Sequence, residues 1–146
     1  MKALAVSFFL TLIYSVSFGQ NLKPVSWEFE VTQIEDGSYD LVATAKMKGD
    51  WAIYSQHTSE GGPVPLKFTY DPGVELKGET KENSKAIKKM SDLFEVEVIK
   101  FKKEAVFTQN FSPMKGQTSI KGTLKFMCCD NLRCLPPTEV AFDVAL

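Results

Sequence analysis

The sequence carries almost no net charge, 17 basic against 18 acidic residues, and a single histidine. A near-neutral balance excludes a surface built to neutralise nucleic-acid phosphates, which needs a basic excess. Helical periodicity is scarce, and neither an internal repeat nor a low-complexity tract is present. Only one long apolar run exists, at the N-terminus, and no later run approaches the roughly 20 apolar residues a membrane helix requires. At 146 residues the chain is long enough for one ordinary domain and too short for two.

The N-terminal run begins after Lys2 and extends from Ala3 to Tyr14 without a charge. Ser17-Phe18-Gly19 then supplies a small-x-small site, and Gln20-Asn21-Leu22-Lys23-Pro24 ends the apolar stretch. One positive charge, a short apolar core and small residues at the cleavage site predict a secretory signal peptide over 1–19, cut near Gly19-Gln20. No cysteine follows the site, so lipid attachment there is not expected. The remaining domain, 20–146, loses only Lys2 among charged residues, leaving 16 basic against 18 acidic. Export predicts a periplasmic or secreted location, where cysteines persist as disulfides.

Past the leader, the chain reads as short strands. Val25 to Thr32 and Tyr39 to Met47 alternate apolar and polar residues around the turn Glu35-Asp36-Gly37-Ser38, which predicts a hairpin. Further strands are predicted at Trp51–Ser55, Leu66–Tyr70, Val96–Phe101, Ala105–Phe111, Ser119–Met127 and Glu139–Val144, with turn residues between them. Many short strands at regular spacing predict an all-β, antiparallel sandwich. Ser55 to Pro65 reads as a surface loop. Thr80 to Met90, with Lys81, Lys85, Lys88 and Lys89, reads as a loop or short helix whose lysines face solvent.

All three cysteines lie within seven residues: Cys128, Cys129 and Cys134. Adjacent cysteines rarely bond each other, so Cys134 is one member of any internal bridge, and Cys128 and Cys129 compete for the other place. In a strand those two side chains point to opposite faces, so only one can meet Cys134. A loop of about six residues gains only about 2 kcal/mol from closure in the chain-entropy model. Bridges that are exposed at a hairpin tip are the exchangeable ones. The odd count leaves one thiol free or paired between molecules. Spacing alone keeps a structural and a redox bridge both open. Three thiols with His57 could bind zinc, and Met127 with the cysteines could hold Cu(I). The spacing fits no zinc knuckle or ribbon and His57 lies in a distant loop, so no metal is assigned.

The segment Phe126-Met127-Cys128-Cys129-Asp130-Asn131-Leu132-Arg133-Cys134-Leu135-Pro136-Pro137 resembles the active-site stretch of the N-terminal periplasmic domain of the thiol:disulfide interchange protein DsbD. That family shows an aromatic residue, two residues on a cysteine, then a second cysteine, one residue and Pro-Pro. The resemblance implies an immunoglobulin-like β-sandwich and a redox pair Cys129–Cys134, with Cys128–Cys134 open because the gap length suits it too. Asp92-Leu93-Phe94 resembles the family's cap loop, which implies that Asp92 and Phe94 cover the pair. An aromatic lid of this kind excludes small oxidants until a partner displaces it. Phe94 also reads as an ordinary core aromatic. Tyr54 falls at a family position near the active site, although its residue type alone reads as core packing.

The resemblance implies a periplasmic protein thiol–disulfide oxidoreductase that passes reducing equivalents through a cysteine pair and needs no cofactor. The attacking thiolate forms a mixed disulfide that the second cysteine releases; the resemblance favours Cys134 as attacker. Asp130 and Asp92 would raise a nearby thiol pKa and Arg133 would lower it. The full family protein continues into membrane helices and a thioredoxin-like domain, while this chain ends at Leu146. Its partners are therefore expected to be a periplasmic thioredoxin-like protein, a membrane electron transporter, or both. The rival expectation is a non-catalytic binding module in which the bridge merely staples a hairpin and loops such as Ser59–Pro63 meet a partner.

Overall fold

The computed structural model describes residues 22–146; the expected signal segment, 1–19, lies outside the described residues. No helix occurs among the described residues, and every strand pairing is antiparallel.

The first sheet starts as a hairpin. β1 (Val25–Gln33) pairs with β2 (Tyr39–Met47) from Val25↔Met47 to Gln33↔Tyr39. Asp36 closes the turn by accepting hydrogen bonds from the Ser38 backbone N–H at 2.8 Å and its hydroxyl at 2.6 Å. Gly37 takes the left-handed conformation that follows, with φ of 81°. On the far side of β2 runs β9 (Glu104–Pro113), whose outer edge carries two short strands, β5 (Val74–Leu76) and β6 (Lys81–Glu82). The second sheet orders β12 (Thr138–Ala145), β10 (Ser119–Phe126) and β4 (Lys67–Tyr70). The third orders β11 (Cys128–Cys129), β3 (Ala52–Tyr54), β8 (Glu97–Lys102) and β7 (Ile87–Met90).

Alternation builds the core. β2 turns Leu41, Ala43, Ala45 and Met47 inward, and β10 turns in Ile120, Gly122, Leu124 and Phe126. Aromatic rings join the layers: Trp27 lies 5.5 Å from Phe126, Phe29 5.0 Å from Phe142, and Phe68 5.8 Å from Phe107. Burying each such ring stabilises the fold by roughly 1.5–3 kcal/mol. One inward position of β9 is polar. Gln109 is buried, but its Oε1 accepts from Thr80 and its Nε2 donates to the carbonyls of Gly78 and Asn110. The same Thr80 hydroxyl meets the Tyr70 phenol, whose burial pushes its pKa up to about 12.

Thr80 to Met90 differs from the sequence reading, as do Val74–Leu76 and Cys128–Cys129, which form β5 and β11 where no strand was expected. Thr80 to Met90 contains no helix; it supplies β6 and β7 as edge strands. All four residues of β7 are exposed, so burial imposes no alternation on them, and lysines on a sheet edge discourage further strand pairing. Ser55 to Pro65 is a connection without strands, yet it is pinned to the body. Ser55 is fully buried and donates to both Glu82 carboxylate oxygens at 2.8 and 3.0 Å, and the Gln56 N–H donates to Glu82 at 2.8 Å. Glu82 thereby ties the end of β3 to the first sheet.

Gly122 sits where a side chain has no room: a Cβ there would strike the Thr69 carbonyl and the Phe142 ring. Gly122→Ala is expected to cost about 1–3 kcal/mol, read as a lower urea midpoint at unchanged slope. An unchanged midpoint would show that β10 and β4 separate freely.

Candidate functional site

The third sheet has two faces, and register decides which residue goes where. Residues directly opposite in an antiparallel ladder share a face. Cys128 lies opposite Ile53, and Ile53 opposite Phe101; these point into the core. One residue on, Cys129 lies opposite Ala52, and Ala52 opposite Lys102. Tyr54 faces Lys100, Lys100 faces Ile87, and Val98 faces Lys89. Cys129, Tyr54, Val98, Lys89, Lys100 and Lys102 therefore occupy the second face, where Cys129, Tyr54 and Val98 are buried in a small apolar cluster separate from the main core.

Beyond β11 the chain reverses through Asp130-Asn131-Leu132-Arg133. The Asp130 N–H donates to the Arg133 carbonyl at 3.0 Å, and the Leu135 N–H donates to the Cys128 carbonyl at 2.9 Å. Asp130 Oδ1 accepts from the N–H groups of Leu132 and Arg133, each at 2.8 Å, an arrangement that holds the carboxyl below its usual pKa. Between these two hydrogen-bonded rungs Cys129 faces Cys134 across a non-hydrogen-bonded rung, the kind that brings side chains closest. The two form a disulfide, with Cα atoms 4.0 Å apart. Cys129 is only 2 % exposed, while Cys134 is half-buried on the solvent side. Arg133 turns away, its guanidinium 5.9 Å from the centre of the Trp51 ring and its Nε 3.9 Å from Asp130 Oδ2.

Cys128 is a free thiol, 4 % exposed among Ile53, Phe101 and Phe126. Burial pushes its pKa up to about 11, with the Asp130 charge adding to the effect. It is a core side chain that remains protonated at neutral pH.

The turn between β7 and β8 bends over the disulfide-bearing face. Ser91 N–H donates to the Val96 carbonyl at 2.9 Å and Glu95 N–H to the Ser91 carbonyl at 2.8 Å, with Glu95 left-handed at φ of 57°. This closure swings Phe94 inward. Phe94 meets Tyr54 edge-to-face, with centroids 6.4 Å apart and planes at 86°. Both pack in one cluster with Val98 and Cys129, which Met127 and Cys134 flank. Tyr54 is buried, and that burial raises its phenol pKa. Asp92 stays exposed at the turn and lines a cavity of about 210 Å³ with Tyr54, Lys89, Lys100, Asp130 and Asn131. His57 lies elsewhere, beside Glu79–Asn83, and the Met127 sulfur accepts from the Val64 N–H at 3.4 Å.

The structure thus brings Cys129, Cys134, Tyr54, Phe94 and Asp92 together and sends Cys128 to the other side of the sheet. Lys100 was absent from the sequence reading of the site, and Lys89 was noticed there only as part of a charged run. Lys100 sits in a strand whose polar positions look like ordinary wet-face residues; only its pairing with Tyr54 places it beside the cysteines.

No protein-family model matches the chain, and no curated protein matches it by sequence. Among solved structures, the N-terminal domain of DsbD from Neisseria meningitidis, in its reduced form, superposes with a TM-score of 0.58 at 19% identity, covering 82% of this chain and 84% of that one. The N-terminal periplasmic domain of ScsB from Proteus mirabilis superposes with a TM-score of 0.66 at 14% identity, covering 86% of this chain and 48% of that one. The chain shares with both the fold of DsbD-like N-terminal domains, an immunoglobulin-like β-sandwich.

Proposed function

We propose that residues 20–146 form a thiol–disulfide exchange module that works outside the cytosol after removal of 1–19. The observation that carries this reading is the placement of the Cys129–Cys134 disulfide: away from the main core, on a four-residue turn, with Cys134 partly exposed and Cys129 packed in a small cluster with Tyr54 and with Phe94 of a separate hairpin turn. A bridge closing so short a loop adds only about 2 kcal/mol, which is a weak reason to keep it as a staple. The likeness of fold to DsbD and ScsB N-terminal domains supports the same reading, as does the periplasmic setting that the ScsB domain's description states. No helix among the described residues is long and apolar enough to cross a membrane.

In this reading Cys134, the less buried sulfur, is the one a partner reaches. A partner thiolate attacks Cys134 Sγ, forming a mixed disulfide and expelling Cys129 as thiolate; a second partner thiol then attacks the mixed disulfide. The partner's two thiols become a disulfide, and the pair here becomes a dithiol. The reverse sequence passes the same two electrons to a partner disulfide. Phe94 and Tyr54 shield the sulfurs from small oxidants between encounters, and the Ser91–Val96 turn yields when a partner docks. Partners of the thioredoxin-like or membrane-transporter class fit this role. The sulfurs do the chemistry, so no bound cofactor enters the proposal, and neither Asp92 nor Arg133 is assigned a proton-transfer step.

Equilibration against a glutathione redox buffer tests the exchange. A potential within the range of exchangeable pairs, about −120 to −270 mV, is expected. A pair that stays oxidised below about −300 mV would mark a structural bridge and leave the binding-module reading.

A second expectation concerns Cys128. Iodoacetamide applied to the reduced native protein near neutral pH should label Cys134, the more exposed cysteine, and leave the buried Cys128 unlabelled until the protein is unfolded, as located by mass spectrometry. Three adducts on the native protein at rates like those of a free thiol would remove Cys128 from the core.

A further inference from the structure

The cavity beside the disulfide carries charge that the exchange reading does not use. It holds about 210 Å³ between the turn Ser91–Leu93, the turn Asp130–Asn131, and the side chains of Tyr54, Lys89 and Lys100. Neither cysteine lines it, but it adjoins their site: Tyr54 packs in one cluster with Cys129, and Asp130 begins the turn that joins Cys129 to Cys134.

Two ammonium groups border the cavity, and neither Lys89 nor Lys100 has a carboxylate within 4.0 Å among the described residues. Their strand neighbours are already matched: Lys88 meets Glu97 at 2.9 Å, and Lys102 meets Asp50 at 3.8 Å. Of the two acids at the cavity, Asp130 is engaged by the N–H groups of its own turn and by Arg133, which leaves Asp92 as the uncommitted one. Lys100 feels the crowding. Burial, then Lys102 and Lys89, lower its proton affinity, and Asp92 offsets this only in part. Leu93, 47 % exposed, is the one aliphatic side chain on the lining.

We propose that this cavity binds a carboxylate side chain of the exchange partner, and that the partner is a protein whose reactive cysteine is flanked by aspartate or glutamate. The proposal rests on the exchange reading and adds the chemistry that selects the partner. An acidic residue next to the partner's cysteine sits between Lys89 and Lys100 while the cysteine meets Cys134, and the exposed Leu93 adds an apolar contact. Complementary charge speeds encounter and sets specificity more than it raises final affinity, and a basic partner is repelled. Lys89 and Lys100 act on the partner's approach and position, not on the sulfurs.

The test uses two blocked tripeptides, Glu-Cys-Glu and Lys-Cys-Lys, as reductants of the oxidised protein. Each peptide thiolate forms a bond to one cysteine sulfur and releases the other as thiolate. A second peptide thiolate then releases the peptide as its disulfide dimer, and the pair is left as a dithiol. Rates are normalised to thiolate concentration. At low ionic strength the acidic peptide is expected to react roughly tenfold faster than the basic one. The ratio should fall toward one in about 1 M salt, where the screening length is about 3 Å. It should also fall in Lys89→Ala/Lys100→Ala and invert in Lys89→Glu/Lys100→Glu. Equal rates for the two peptides, or a preference that survives both double variants, overturns the proposal while leaving exchange intact. Failure of uncharged dithiothreitol to reduce the wild-type pair overturns the exchange reading and this proposal together.

Discussion

The pairing of β11 with β3 is the constraint on which the rest of the site depends. It is only two residues long, Cys128↔Ile53 and Cys129↔Ala52, yet it fixes the faces of both cysteines at once. A slip of one residue would exchange them, placing the disulfide sulfur against Phe101 and the core thiol against solvent. The register is held from outside the pair. Phe126, two residues before Cys128, is locked among Trp27 and the rings of the core, and Ile53 is buried against Phe101. Core packing therefore specifies which cysteine enters the disulfide and which stays a buried free thiol.

The cover over the pair comes from the opposite end of the same sheet. β7 and β8 form a hairpin whose turn delivers Phe94 to Tyr54, so one small sheet holds the cysteine turn on one edge and the Phe94 turn on the other. Glu82 steadies this arrangement from the first sheet, because its carboxylate takes the Ser55 hydroxyl immediately after Tyr54. The aromatic contact thus joins Tyr54, held in the strand ladder, to Phe94, carried on a hydrogen-bonded turn and packed against the same cluster.

Legibility in the sequence followed burial. β2 was read with its observed limits, Tyr39 to Met47, because alternate residues face the core along its whole length. β10 and β12 came out within a residue or two for the same reason. β7 was invisible as a strand: Ile87-Lys88-Lys89-Met90 is exposed throughout, so nothing in its pattern distinguishes an edge strand from a charged loop. At the site, alternation announced that Cys128 and Cys129 point apart but did not say which of them the core would take. That choice belongs to cross-strand neighbours far along the chain, Ile53 and Ala52. The place of Lys100 is hidden for a like reason, since its neighbour Tyr54 is 46 positions away and joined to it only by the ladder.

The turn at Asp130 is closed by hydrogen bonds of its own besides the sulfur–sulfur bond. Asp130 accepts two backbone N–H groups, its own N–H reaches the Arg133 carbonyl, and the Leu135–Cys128 hydrogen bond closes the ladder behind. None of these hydrogen bonds involves a sulfur atom, and together they set the two cysteines opposite each other, the placement that gives paired groups a high effective molarity. A partner joined covalently to one of them would be expelled quickly by the other. The captured state of such a module is brief by construction, and its persistence is set by the backbone of a four-residue turn.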